Sequence, residues 1–65
     1  MNKYPFLAKK LINNRPYVVL FVEPDYGMVV ANETEESTIK FGQIGDFDEK
    51  SFEILSSNEF ITLSN

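Results

Sequence analysis

The chain alternates between short apolar runs and clusters of turn-forming residues, the pattern of strands joined by tight connections. The clearest run is residues 17–23, Tyr-Val-Val-Leu-Phe-Val-Glu. It is β-branched, aromatic and almost continuously apolar, so it reads as a strand covered on both faces. Ahead of it, Asn13-Asn14-Arg15-Pro16 reads as a loop between strands. Asn accepts left-handed backbone angles, and Pro16 drives Arg15 away from helical geometry. After it, Pro24-Asp25-Tyr26-Gly27 reads as a turn. Pro24 sets its own φ, Asp25 bonds forward to the backbone, and Gly27 is expected to take a positive φ as the chain re-enters the sheet. Residues 28–32 return as the second arm of the hairpin.

Residues 4–12 admit two readings. Leu7, Leu11 and Ile12 fit one face of a helix, while Phe6, Ala8 and Lys10 alternate with them as in a strand. The strand is preferred because the following strand needs a partner. Residues 33–37 form a polar, acidic loop. In residues 38–44, Ile39, Phe41 and Gln43 alternate with Lys40, Gly42 and Ile44, a strand weakened by Gly42, where a bulge or a close backbone approach is expected. Gly45-Asp46 ends it. Residues 46–50 read as one helical turn, with Asp46 as its cap and Glu49 three positions on. Residues 51–55 read as a short strand, 56–58 as a turn and 59–63 as the last strand.

Five or six short strands at this spacing predict an all-β domain over residues 1–65, a small antiparallel bent sheet or an Src-homology-3-like barrel. The alternative is α+β, with residues 4–12 as a helix on the sheet. The expected core is Phe6, Leu7, Leu11, Val18, Leu20, Val22, Val29, Ile39, Phe41, Phe47, Phe52, Ile54, Phe60 and Ile61.

Composition then limits the chemistry. A chain of 65 residues buries only ~60% of the surface its unfolded form exposes, so its stability is expected to be marginal. With no Cys and no His, disulfides and thiolate or imidazole metal sites are excluded. What remains is an aromatic-rich core, nine Phe and Tyr side chains in all, which bury the most area per residue. Nucleophilic catalysis through a Ser–His or Cys–His pair is excluded on the same ground. Gly42 and Gly45 are isolated and open no phosphate-cradling helix. Asp46, Asp48 and Glu49 are close in sequence, but a two-carboxylate hydrolase needs its acids across a cleft, and a calcium cage needs a longer alternation of ligands. No catalytic residue, metal site or cofactor is therefore expected.

Charge is uneven. Lys3, Lys9, Lys10 and Arg15 open the chain without an acid among them, and from Pro16 onward two basic residues stand against ten acidic ones. Asymmetry of this kind marks candidate binding faces as well as serving solubility. The acids Glu33, Glu35, Glu36, Asp46, Asp48 and Glu49 are the candidate partner-binding residues. A basic footprint for direct nucleic-acid binding is weak in so acidic a chain. No signal peptide or membrane span is read, and a cytoplasmic location is expected.

One pattern spans nearly the whole chain: Tyr4-Pro5-x-Leu7-x-Lys9, Val18-Val19-Leu20-Phe21, Gly27-x-Val29-Val30, Gly42 and Gly45, Phe47-x-Glu49-x-x-Phe52-Glu53, and Ile61-Thr62-Leu63-Ser64-Asn65. It resembles a group of short phage-encoded proteins of unassigned function. The chain departs from that pattern at Phe47, where Trp is expected, and in its acidic, Gly-free residues 32–40. The resemblance implies a phage origin and an accessory role in the cytoplasm of an infected bacterium; it implies no activity and no site residues. Together these readings predict a small accessory protein that binds and modulates a host protein. The alternatives are a self-assembling structural protein, pairing by exposed strand edges, and an acidic mimic that blocks a nucleic-acid-binding protein.

Overall fold

The computed structural model describes residues 4–36 and 38–55. Its order is β1 (Phe6–Ile12), β2 (Arg15–Glu23), β3 (Tyr26–Asn32), β4 (Ile44–Asp46), a 3₁₀ turn (Glu49–Ser51) and β5 (Glu53–Ile54). The strands form one antiparallel sheet ordered β4-β3-β2-β1-β5. The chain meanders through four strands and then crosses back to lay β5 beside β1. Since β4 and β5 do not pair, the sheet is open, with those two strands as its edges. The all-β expectation holds, and residues 6–12 are strand rather than helix. The expected strand over residues 59–63 lies outside the described residues.

Two short turns build the meander. Asn13 and Asn14 both have positive φ, 52° and 66°, as a two-residue hairpin turn of the twist-matching kind requires. Arg15 and Pro16 already belong to β2, so this loop is shorter than the sequence suggests. The second turn holds only Pro24 and Asp25, and it is Asp25 that takes the positive φ, 57°, not Gly27. Gly27 lies within β3 for a different reason: a Cβ there would overlap the Leu20 carbonyl and crowd Val19.

Two register shifts interrupt the β2–β3 pairing, between Val18 and Val19 and between Phe21 and Glu23. The unpaired residues are Val30 and Val22. Bulges of this kind raise the local twist and bend the strands, curling the sheet around its contents.

The core lies on one face. Ala8, Tyr17, Val19, Phe21 and Val29 form the buried cluster, with Tyr4, Phe6, Ile12, Ile39, Phe47 and Phe52 packed against it. Phe21 is the hub: its ring lies 5.4 Å from Phe6, 5.2 Å from Phe52 and 6.5 Å from Phe47, edge-on to the last two. Edge-to-face rings add to what their area contributes. Phe47 and Phe52 flank the 3₁₀ turn, so the β4–β5 connection lids the sheet.

This corrects the phase expected within β2. The sequence reading put Val18, Leu20 and Val22 inside, but Tyr17, Val19 and Phe21 are the core-facing set. Because side chains alternate, a continuous apolar run gives no indication of which phase faces the core. Val18 is buried outside that cluster, and Leu20 is half-buried. Leu11, Val22, Phe41 and Ile54, all expected inside, are exposed. Phe60 and Ile61 lie outside the described residues.

Candidate interaction surface

The expected strand over residues 38–44 is mostly loop, and only Ile44–Asp46 pairs with β3. Gly42, with φ of 83°, makes the chain turn instead of extend. The Gln43 N–H donates to the Lys40 carbonyl at 3.0 Å, closing a four-residue turn with glycine third, the arrangement of a type II turn. The Gln43 side chain completes it, its Oε1 accepting from the Lys40 N–H at 3.0 Å. The turn is then fastened to the sheet: Gly42 N–H donates to the Val29 carbonyl at 2.7 Å, and Val29 N–H to the Gln43 carbonyl at 2.9 Å. From the other side, the Asn32 amide donates to the Ile39 carbonyl at 2.8 Å, while its Oδ1 accepts from the Thr34 N–H and hydroxyl.

What this turn presents is Phe41, 77% exposed, the most exposed large apolar residue among those described. Ile44, 61% exposed, follows on β4. Ile44 also ends an apolar row across four strands, Leu7–Leu20–Met28–Ile44, on the face opposite the aromatic core.

The candidate acids do not converge. Glu33, Glu35 and Glu36 lie beyond the end of β3, near the β1–β2 turn. There Arg15 faces Glu35 at 3.8 Å, both largely exposed. An exposed pair of this kind contributes little. Asp46, Asp48 and Glu49 lie at the other end of β3, beside the Pro24–Asp25 turn. Six residues of strand separate the two ends, ~20 Å at strand rise.

Two of the second group have internal duties. Asp48, not Asp46, caps the 3₁₀ turn, its Oδ1 accepting from the Lys50 N–H at 3.3 Å. The Glu49 Oε1 accepts from the Tyr4 hydroxyl at 2.7 Å and from the Asp25 N–H at 2.9 Å. The Asp25 carboxylate in turn accepts from the Glu49 N–H at 3.0 Å. This reciprocal clasp joins the start of the chain, the β2–β3 turn and the 3₁₀ turn. The bond to Glu49 pushes the Tyr4 hydroxyl up to about 12, assisted by desolvation and by the Glu49 and Asp25 charges. Burial raises Tyr17. The sequence marked Glu49 as a cap partner, but nothing local showed that it reaches residues 4 and 25.

The hollow between Ile12, Asn13, Arg15, Glu35 and Glu36 holds about 160 Å³, a second beside Lys10 and Phe52 about 360 Å³, and an open one along the Phe41 turn about 710 Å³. No three acidic side chains among the described residues are grouped as a metal would need. On the opposite side Lys10 lies over the Phe52 ring, 5.8 Å from its centroid, sheltering the core from solvent.

No helix of the described residues is long and apolar enough to cross a membrane. No family model, no curated protein and no solved structure matches the chain.

Proposed function

We propose that this chain is a non-catalytic protein-binding module that engages and modulates a protein of a bacterial host. The phage setting rests on the Tyr4-Pro5-x-Leu7-x-Lys9 to Thr62-Leu63-Ser64-Asn65 pattern. The binding reading rests on Phe41. A large aromatic ring held in water on a turn pinned by Asn32, Gln43 and the β3 backbone has no role in the core. The turn's backbone is already fixed, so docking the ring costs side-chain but little backbone entropy, and buried aromatic anchors dominate protein interfaces.

The test is capture from bacterial lysate with tagged wild type and tagged Phe41→Ala, followed by affinity measurement on the purified partner. Phe41→Ala should leave the melting temperature unchanged and weaken the captured complex by ~30-fold or more, as loss of a hot spot does. A partner that binds both forms equally, or wild type that retains no partner, overturns the reading.

A further inference from the structure

We propose that the outer edge of β4 pairs two copies of this chain, antiparallel, about a two-fold axis through Gly45. The observation is independent of Phe41 and concerns the backbone. Phe47 N–H donates to the Asp25 carbonyl, and Val29 N–H to the Gln43 carbonyl. With Gly27 opposite Gly45 between them, residues 43, 45 and 47 direct their backbone groups toward β3. The alternation of an antiparallel ladder then aims the N–H and C=O of Ile44 and Asp46 outward. Among the described residues nothing bonds to them.

Exposed edges are usually guarded by shortness, charge, proline or a bulge. β4 is only three residues long and carries Asp46, but it has no lysine, proline or bulge, and it adds an exposed isoleucine. It also fits itself. An axis through Gly45 sets Ile44 of one copy opposite Asp46 of the other, twice, which gives four backbone hydrogen bonds with no like charges directly opposed. The apolar rows of both copies end at this seam, and Tyr26, beside Asp46 on β3, is 39% exposed next to it.

The seam is short. Ile44, Tyr26 and four backbone groups per copy bury less than the roughly 1,200 Å² of stable specific interfaces, so the dimer is reversible and concentration-dependent. Each copy carries a net charge of −4, and screening by salt strengthens the pair.

Sedimentation equilibrium of the full chain, from micromolar to millimolar and at low and high salt, tests this. Wild type should pass from monomer to dimer, at lower concentration in high salt. N-methylation of the Ile44 amide, introduced by total synthesis, removes one outward donor without altering a side chain and should weaken the dimer by ~10-fold or more. Ile44→Lys should do the same, while Phe41→Ala should dimerise as wild type does, which separates this proposal from the host-partner reading. A wild type that stays monomeric throughout overturns it, as does a dimer indifferent to N-methylation at Ile44.

Discussion

The three glycines are spared from side chains for three different reasons, and their replacement by alanine separates those reasons. At Gly27 a methyl group would overlap the Leu20 carbonyl, and backbone cannot swing aside, so Gly27→Ala should destabilise by about 1–3 kcal/mol or more. Gly42→Ala meets no neighbour but must hold a positive φ, at a cost of about 1 kcal/mol. Gly45→Ala has open space, and its effect should fall within about 0.5 kcal/mol. Urea titration of dilute protein ranks them, and an equal loss at all three would refute the distinction. Tyr4 offers a second test at this scale. Its folded value is about 12 against 10.0 ordinarily, so the folded state holds the proton more tightly. The stability this contributes is fully present below pH 10 and is lost as pH rises through 12. Tyr4→Phe should flatten the stability profile in that window and remove a tyrosine ionisation near pH 12 from the ultraviolet absorbance titration. The sequence showed Tyr4 only as a residue beside a proline; its partner lies forty-five positions away.

At the scale of elements, the turns were legible and the loop was not. Two adjacent asparagines, and Pro24 before Asp25, announce tight connections because their backbone preferences are local. Residues 38–44 alternate like a strand, yet Gly42 and the Gln43 side chain close a turn, and Asn32 fixes the approach to it. The predictive signal was Gly42 within Lys40-Phe41-Gly42-Gln43, where turn chemistry outranks a weak alternation. Asn32→Ala removes the bond to the Ile39 carbonyl and both bonds to Thr34. It should cost about 1–3 kcal/mol. Amide exchange at Ile39 and Gln43 should quicken well before exchange in β2. Unchanged exchange there would show that the loop is held some other way.

For the molecule as a whole, stability rests on one aromatic layer over one curved sheet. Phe47 and Phe52 reach Phe21 from a connection held otherwise by polar contacts, the Glu49 clasp and the Asp48 cap, and both are only half-buried. Phe47→Ala or Phe52→Ala should cost about 3 kcal/mol, the low end for such truncations. That is a large share of the total for a domain this small, and circular dichroism should show a melting point many degrees lower. An unchanged melting point would place the core elsewhere.

The sequence by itself determined a β-rich fold, leaving only residues 4–12 between strand and helix: β-branched and aromatic runs of strand length are separated by Asn, Pro and Gly, and the lack of Cys and His removes the commonest catalytic and metal chemistries. Both follow from composition and local backbone preference, which need no knowledge of distant contacts. Only the tertiary structure decided which phase of β2 faces inward, because residues 17–22 are all apolar and only the neighbours on each face distinguish them. It alone divided the acids between two ends of the sheet and committed Glu49 to Tyr4 and Asp25. It alone left Phe41 and the β4 edge outside, since exposure depends on what the rest of the chain covers.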